Sequence, residues 1–395
     1  MLKGNAIIGQ SGGPTAAINA TLAGVIRGAY AADCINNVFG MLNGIEGFLE
    51  ERICKLDNID IELLSQTPSA ALGSCRLKLP KINEKPEVYE KTLSIIKKYD
   101  IRYFFYIGGN DSMDTVAKLN EFAKTCDYDL KVIGIPKTID NDLVCTDHTP
   151  GYGSAAKYIA ASMQEIIRDC AVYTVKAVTV VEVMGRDTGW LTAAAALPKI
   201  ISGVAPDYVY LPERAFDTDK FLVDIKKALD LHPNVVIAIS EGLRTADGKF
   251  LGETGHKGVD VFGHVNLSGV GKTLELFVKE KIGCKVRSVE LNILQRCAAH
   301  IASASDIHGA LMIGNAAVKN AVNGASGIMV SFNNSGIETV DVSQVANKIK
   351  YVPDDYINDE GNFVTDKCLN YIKPLIAGEV PIKYKDGLPV HLELK

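Results

Sequence analysis

Short apolar runs alternate with amphipathic stretches along most of the chain. Runs of strand length cover residues 5–9, 35–41, 103–107, 131–135, 177–183, 206–211, 234–239, 284–291 and 327–332. Helix-like stretches lie between them, at 16–32, 86–99, 112–124, 151–169, 217–230 and 306–322, the last with Asp306 as its expected cap. Short strands that alternate with helices are typical of α/β proteins with mainly parallel sheets. The pattern therefore predicts an α/β fold of two doubly wound lobes.

Several of these strands end in polar clusters. The strand at 103–107 leads into Gly108-Gly109-Asn110-Asp111-Ser112, and the strand at 131–135 leads into Pro136-Lys137-Thr138-Ile139-Asp140-Asn141-Asp142. Clusters also follow the strands at 5–9 (Gln10 to Thr15), 177–183 (Met184 to Gly189) and 234–239 (Ser240 to Gly242). Because the carboxyl ends of parallel strands meet at one edge of a sheet, we expect the clusters of the two lobes to face each other across a cleft. The two walls of this cleft would hold two different ligands.

The residue types in these clusters suit phosphoryl chemistry. Glycines let a backbone approach a phosphate, and a strand followed by Gly12-Gly13 and a helix can present free N–H groups to one. Carboxylates hold a metal ion or take a proton, and a lysine neutralises phosphoryl oxygens. Plainer explanations remain open, since Gly12-Gly13 also fits a tight turn without a ligand. Arg76 likewise fits either a solvated loop or a phosphate contact.

Two further glycine motifs approach nucleotide-binding patterns without the context that these patterns need. Gly151-Tyr-Gly153-Ser-Ala-Ala156 follows a proline instead of a strand, so a helix start between the lobes is preferred to a dinucleotide fingerprint. Ser268 to Thr273 approaches a P-loop, but Asn266 stands where the pattern has glycine, and a loop predicted at 244–268 precedes it instead of a strand. A helix that begins near Gly271 explains this stretch.

Composition narrows the functional class. The chain has 395 residues, of which 47% are hydrophobic and 23% charged, as is ordinary for a globular enzyme of two or three lobes. The net charge of −5 gives no reason to expect a nucleic-acid partner, and no apolar run reaches the ~18 residues of a membrane span. The N-terminus has no signal-peptide pattern, and the nine cysteines form no CxxC pair. We therefore predict a cytoplasmic protein with reduced thiols and no nucleic-acid or membrane partner.

Taken in order, the motifs of the chain resemble those of the phosphofructokinase family. They are Gly12-Gly13, Gly73-Ser-Cys-Arg76, Gly108-Gly-Asn-Asp, Thr138-Ile-Asp-Asn-Asp142, Met184-Gly-Arg186, Glu241-Gly and Gln295-Arg296. Each motif is weak alone, whereas the ordered set, which spans about residues 4–335, is highly specific. The resemblance implies phosphoryl transfer to the 1-hydroxyl of fructose 6-phosphate. It also implies a larger phosphoryl-donor domain (1–150 with about 296–335), a smaller sugar-phosphate domain (151–295) and a C-terminal accessory segment (336–395).

Two positions point to the phosphoryl donor within this family. ATP-using members usually carry Gly-Gly-Asp-Gly, whereas this chain has Asp111 in place of the last glycine, where a carboxylate would fill space and repel the α-phosphate of ATP. Lys137 stands where ATP-using members commonly have a small residue, and a lysine there can neutralise charge that develops between phosphoryl groups. The chain is therefore most similar to the pyrophosphate-dependent members, which carry out a reversible step of glycolysis and gluconeogenesis.

The resemblance implies a role for each matched residue. Asp140 would be the general base, and Lys137 would stabilise the transition state. Asp142 would support the site, and Arg76 would assist at the transferring group. Pyrophosphate would lie against Gly12 and Gly13, and the sugar phosphate would contact Thr138, Asp140, Met184, Gly185, Arg186, Glu241, Arg296 and, from a neighbouring subunit, Arg287. A site shared between subunits implies a homodimer or homotetramer.

The chain departs from the family pattern at three places. Asn110 stands where the family has a metal-associated aspartate, so the implied Mg²⁺ would rest on pyrophosphate oxygens, water, Asn110 or Asp111. Lys176-Ala177 replaces an arginine that many members supply from a neighbouring subunit. Ile293 replaces a histidine or tyrosine, which leaves a different sugar phosphate, such as sedoheptulose 7-phosphate, open as the acceptor.

Three other functions remain open from the sequence. An ATP-dependent phosphofructokinase with an unusual donor pocket would share the motifs but not Asp111 and Lys137. A catalytically silent regulatory subunit that binds a sugar phosphate would not need an intact set of Asp140, Asp142, Lys137 and Arg186. A NAD or lipid kinase of the Gly-Gly-Asp type leaves the Met-Gly-Arg and Gln-Arg clusters unexplained.

Overall fold

A computed structural model describes residues 2–252 and 269–394. The strands are β1 (Gly4–Gln10), β2 (Ile35–Met41), β3 (Ile53–Lys55), β4 (Ile101–Gly108), β5 (Lys131–Pro136), β6 (Ala177–Val183), β7 (Tyr208–Tyr210), β8 (Asn234–Ser240), β9 (Lys285–Glu290), β10 (Ile328–Asn333), β11 (Gly336–Asp341), β12 (Tyr384–Lys385) and β13 (Leu388–Pro389). The helices are α1 (Ile18–Tyr30), α2 (Gly44–Leu49), α3 (Ile61–Gln66), α4 (Pro86–Lys98), α5 (Asn110–Thr125), α6 (Tyr152–Ala171), α7 (Trp190–Ala194), α8 (Pro198–Ile201), α9 (Thr218–Leu231), α10 (Val270–Ile282), α11 (Leu294–Cys297), α12 (Ala304–Val322) and α13 (Asp366–Ile372).

The larger sheet has seven strands in the order β11-β10-β5-β4-β1-β2-β3. Its five inner strands pair in parallel, and the edge strands β11 and β3 are antiparallel to their neighbours. Ala6 and Ile8 of β1 pack into a core that includes residues of α1 and α12, while Ile7 packs into a second core with residues of α4 and α5. Because both faces of the sheet are covered, the centres of β1, β4 and β5 are runs of apolar residues instead of alternating polar and apolar positions.

The smaller sheet has four parallel strands in the order β7-β8-β6-β9. Val181 and Val183 of β6 pack with α6, α7 and α13, whereas Val178 and Val180 pack with α9 and α10 on the opposite face. The prediction of an α/β fold with two doubly wound, mainly parallel lobes is therefore confirmed. In the described ranges, no helix is both long and apolar enough to cross a membrane.

The C-terminal segment contributes to both lobes. Strand β11 extends the larger sheet through its antiparallel pairing with β10. Helix α13 buries Cys368, Leu369 and Ile372 in the core beside the smaller sheet. The division of the chain into domains at the residues given above remains a prediction.

Of the two predictions about how a helix begins, one is confirmed and one is wrong. The helix start predicted at Gly151 is confirmed, since Gly151, with φ +106°, directly precedes α6. The prediction that Asp306 caps α12 is wrong, because the hydroxyl of Ser303 takes that place and accepts from the Asp306 N–H. The buried Asp306 carboxylate instead accepts from the N–H groups of Gly151 and Ser154, each at 2.9 Å. Asp306 thus satisfies first-turn donors of α6, a helix distant in sequence.

The predicted loop at 244–268 lies largely outside the described residues, as do Asn266 and Ser268 of the P-loop-like stretch. Lys272 is in the first turn of α10, as expected for a helix that begins near Gly271.

Candidate active site

A cleft of about 480 Å³ separates the carboxyl ends of β1, β4 and β5 from those of β6 and β8. Most of the predicted site residues line it, namely Gly12, Gly13, Arg76, Asn110, Asp111, Lys137, Thr138, Asp140, Asp142, Met184, Arg186, Glu241 and Arg296. Residues that are separated by up to 284 positions in the sequence therefore meet at one place, as the parallel strand ends predict.

Two of the predicted site residues, Gly185 and Arg287, are not among the residues that line the cleft. The N–H of Gly185 donates to Glu241 Oε1 at 3.2 Å, so Gly185 holds a cleft carboxylate through its backbone. Arg287 lies on the edge strand β9, away from the cleft, and lines a small pocket with Asp169 and Tyr173. Within one chain Arg287 does not reach the site, and its contribution from a neighbouring subunit remains a prediction.

A left-handed residue sets the directions of the two cleft aspartates. Asn141, between Asp140 and Asp142, is fully buried and has φ +53°. Its side chain accepts from the Thr149 N–H at 3.1 Å and donates to the Tyr371 hydroxyl at 2.9 Å. These bonds offset the backbone strain, because asparagine tolerates this conformation when its side chain is held locally. The turn leaves both flanking aspartates at the cleft.

Burial shifts the protonation of the cleft carboxyl groups. It raises the pKa of Asp140, against the opposing effect of the Lys137 and Arg186 charges. Burial, with the charge of Asp140, raises the pKa of Asp142 to about 7. Burial also raises the pKa of Glu241 to about 7. Carboxyl groups with such pKa values suit proton exchange near neutral pH.

Lys137 places a buried cation against the loop of Gly12 and Gly13, which follows β1. Its side chain is 3% exposed, and burial lowers its pKa to about 8. Its Nζ donates to the Gly13 carbonyl at 2.7 Å. Gly12 has φ +77°, and a Cβ at this position would lie 3.2 Å from Lys137 Nζ, so the loop needs glycine for both its conformation and the approach of the lysine.

Lys137 and Arg296 pack against this loop, and Arg76 lines the same cleft. A Cβ at Gly13 would lie 2.7 Å from an Nη of Arg296, so the guanidinium also packs against the glycines. Burial lowers the pKa of Arg296, and the charge of Arg76 lowers it further. The charges of Arg76 and Arg296 likewise lower the pKa of Lys137. Cations that repel one another in a buried cleft favour a multiply charged anion as ligand.

The Gly-Gly-Asn-Asp cluster at the start of α5 is held from two sides. Asp111 forms an ion pair with Lys78 at 3.2 Å, with both side chains partly exposed. The Asn110 amide donates to the Lys348 carbonyl and accepts from the Asn347 N–H. Both ends of the Asn110 side chain are therefore engaged by the protein, which argues against its tentative assignment as a metal ligand. Among the described residues, no three or more His, Cys, Asp or Glu side chains group to hold a metal ion.

Sequence reasoning missed part of the cleft wall. Asp187 lines the cleft and pairs with Arg244 at 2.6 Å. Its position directly after Met184-Gly-Arg186 was a usable signal. Asn347 and Ile349 also line the cleft, but they come from the C-terminal segment, where no motif marks them.

Comparisons with known proteins agree with this geometry. The family model described as phosphofructokinase matches residues 5–321. The chain is 41% identical to pyrophosphate–fructose 6-phosphate 1-phosphotransferase of Xanthomonas campestris pv. campestris, over 100% of this chain and 97% of the relative. It is 32% identical to sulfofructose kinase of Alkalicoccus urumqiensis, over 90% of this chain and 88% of the relative. The crystal structure of pyrophosphate-dependent phosphofructokinase from Nitrosospira multiformis matches with a TM-score of 0.90 at 38% identity, covering 100% of this chain and 97% of that chain.

Proposed function

Because the chain belongs to the phosphofructokinase family, we propose that it transfers a phosphoryl group from pyrophosphate to the 1-hydroxyl of fructose 6-phosphate. The products are fructose 1,6-bisphosphate and phosphate. The observation that carries the proposal is Lys137, a buried cation that is bonded to the Gly13 carbonyl and electrostatically coupled to Asp140. The relatives that are named for pyrophosphate support the choice of donor.

The sugar phosphate binds on the smaller-lobe side of the cleft in this proposal. Arg186 and Arg296 supply positive charge for its 6-phosphate, and a planar guanidinium suits phosphate oxygens. Glu241, which Gly185 holds in place, accepts a sugar hydroxyl. The 1-hydroxyl then points at Asp140, whose N–H is bonded to the Thr138 hydroxyl at 3.1 Å.

Phosphoryl transfer follows from these positions. Asp140 accepts the proton of the 1-hydroxyl as the sugar oxygen attacks the nearer phosphorus of pyrophosphate. The bond from that phosphorus to the bridging oxygen breaks, and phosphate leaves. Lys137 neutralises the charge that develops on the bridging oxygen, and Arg76 acts on the transferring group. In the reverse direction Asp140 returns the proton, and the reaction is reversible because the bonds made and broken are close in energy.

The cleft residues would hold Mg²⁺ only together with oxygens of the phosphoryl donor, pyrophosphate. Mg²⁺ commonly binds through one or two carboxylates, several waters and substrate phosphates. Asp111, a partly exposed carboxylate at the cleft, meets this requirement, whereas the Asn110 amide is occupied by residues 347–348. Asp111 would therefore hold the ion together with pyrophosphate oxygens. The ion would supply neutralisation of phosphoryl charge.

Arg287 supports a shared site. It lies on the exposed side of edge strand β9, where a second subunit can approach. We therefore propose a homodimer or homotetramer in which Arg287 reaches the 6-phosphate bound by a neighbouring subunit.

A coupled assay that compares pyrophosphate with ATP on fructose 6-phosphate in the presence of Mg²⁺ tests the proposed function. We expect turnover with pyrophosphate and little with ATP. Good turnover with ATP and none with pyrophosphate would show an ATP-dependent enzyme, and binding of the sugar without turnover would show a regulatory subunit. Parallel arms with sedoheptulose 7-phosphate and sulfofructose determine the acceptor.

Asp111→Gly is expected to admit ATP. The change removes a carboxylate from the start of α5, and with it both the steric block and the repulsion of an α-phosphate. The ratio of kcat/KM for ATP to kcat/KM for pyrophosphate should rise by about 10-fold or more, since one unit charge at close range in the protein is worth several kcal/mol. The ratio is compared because loss of the Asp111 contact to Mg²⁺ would lower turnover with both donors. The measurement is kcat/KM for ATP and for pyrophosphate.

Lys78→Met is the matched control for Asp111→Gly. It breaks the same Lys78–Asp111 ion pair and leaves the carboxylate in place, so ATP use should stay low. An equal ratio of ATP to pyrophosphate kcat/KM in Asp111→Gly and the unchanged protein would refute the exclusion of ATP by Asp111.

A further inference from the structure

Residues 347–350 bind the polar cluster that follows β4. The Asn347 N–H donates to Asn110 Oδ1, and the Lys348 carbonyl accepts from Asn110 Nδ2. The Asn347 amide also donates to Asp114 Oδ1 at 3.1 Å, one turn further along α5. Asn347 itself has φ +61°, so the segment bends sharply where it meets the helix start. These bonds fix the beginning of α5, next to Asp111.

The same four residues bind the polar cluster that follows β5. The Lys350 N–H donates to the Asp142 carbonyl at 2.7 Å. Lys350 Nζ donates to the carbonyls of Asp147 at 2.8 Å and Thr146 at 3.2 Å, and to Asn141 Oδ1 at 3.3 Å. The ammonium therefore ties the turn that carries the cleft aspartates, through Asn141, to the backbone of residues 146–147.

Lys350 is further anchored on the smaller-lobe side of the cleft. The Trp190 indole N–H donates to the Lys350 carbonyl at 3.0 Å, and Nζ lies 5.2 Å from the centre of the Trp190 ring. A lysine charge that is largely withdrawn from water is costly unless several partners compensate for it. The arrangement indicates that this position is built for a cation.

We propose that residues 347–350 form a brace that sets the distance between Asp111 and the Asp140–Asp142 turn, with Asn110 and Lys350 as its positioning residues. Strands β4 and β5 are neighbours in the sheet, their ladder ends with Gly108 and Pro136, and the Lys137 N–H then donates to the Gly108 carbonyl at 3.0 Å. The brace connects the polar loops that follow these strands and adds Asn347 and Ile349 to the cleft wall. The catalytic consequence rests on the proposed function, whereas the connection itself does not.

Lys350→Met tests the catalytic consequence in the full-length protein. We expect kcat with pyrophosphate to fall about 10- to 100-fold, because a misplacement of about 1 Å has effects of this size, while KM for fructose 6-phosphate changes less than about 3-fold. Lys373→Met is the control, since it makes the same charge change at an exposed lysine of the C-terminal segment. Equal kcat in Lys350→Met and Lys373→Met would overturn the proposal.

Asn110→Asp separates a positioning role from metal binding. Aspartate can still accept from the Asn347 N–H, but it cannot donate to the Lys348 carbonyl and repels it. The brace therefore predicts a lower kcat without a lower half-saturating Mg²⁺ concentration, because displacement of Asp111 can only weaken the proposed Mg²⁺ site. A metal-ligand role predicts the opposite, a lower half-saturating Mg²⁺ concentration, and that result would overturn the proposal.

Hydrogen exchange tests the brace without reference to any reaction. The N–H groups of Asn347 and Lys350 are both donors in the contacts described, so they should exchange slowly in the unchanged protein. Asn110→Asp should speed exchange of the peptide that contains residues 347–350 by about 10-fold, and Lys373→Met should not. Unchanged exchange in Asn110→Asp would overturn the brace. Absent turnover of pyrophosphate by the unchanged protein would overturn only the proposed function.

Discussion

Asp140→Asn is expected to lower kcat with pyrophosphate and fructose 6-phosphate by about 10²- to 10⁴-fold, the range that a general base contributes. Asparagine keeps the shape of the side chain and cannot take the proton of the 1-hydroxyl. The sugar phosphate should still bind, because its charged partners Arg186 and Arg296 are unchanged. The measurement pairs steady-state kinetics with direct titration of fructose 6-phosphate by calorimetry.

Asp142→Asn is the matched comparison, because it makes the same chemical change two residues away in the same turn. Burial raises the pKa of both carboxyl groups, and Asp142 reaches about 7, so protonation alone does not choose between them. We expect a smaller loss for Asp142→Asn. A larger loss in Asp142→Asn than in Asp140→Asn would assign the base to Asp142, and loss of sugar binding in Asp140→Asn would make its role one of binding.

Lys137→Met is expected to lower kcat by about 10²- to 10³-fold, the cost of removing one preorganised group that stabilises transition-state charge. Methionine fills similar space without the ammonium. The residual activity should also respond differently to pH. The Lys137 charge lowers the pKa of Asp140, so its removal raises that pKa, and the acid limb of kcat/KM moves to higher pH.

The alkaline side of the pH profile gives an independent check on Lys137→Met. Burial lowers the pKa of Lys137 to about 8, so the free enzyme should lose kcat/KM as pH rises through that value and the ammonium deprotonates. This limb should be absent from Lys137→Met. An alkaline limb near pH 8 that persists in the variant, or an acid limb that does not move, would contradict the assigned role. Lys78→Met, which removes a partly exposed cleft cation, serves as the control.

The C-terminal segment shows where sequence reasoning ended. Its polar composition suggested an accessory unit, yet Asn347 and Ile349 stand at the cleft and Lys350 holds the catalytic turn. No motif marks these residues because about half of their hydrogen bonds use the backbone, and the side-chain bonds of Asn347 and Lys350 go to partners more than 200 residues away in the sequence. The sequence also did not reveal the partners of the Asn110 amide, which are more than 230 residues away, and its assignment as a metal ligand remains a prediction.

Local residue patterns were enough to predict the alternating strands and helices, the polar strand ends and most of the residues that meet in the cleft. Apolar runs of strand length fix which segments are buried, and parallel strands place their carboxyl ends together. Only the tertiary structure decided the environment of each group. It placed Arg287 outside the cleft, gave Asp306 to α6 and withdrew Lys137 from water, which lowers its pKa. Burial and long-range hydrogen bonds depend on how distant segments pack, and a linear sequence does not specify these contacts residue by residue.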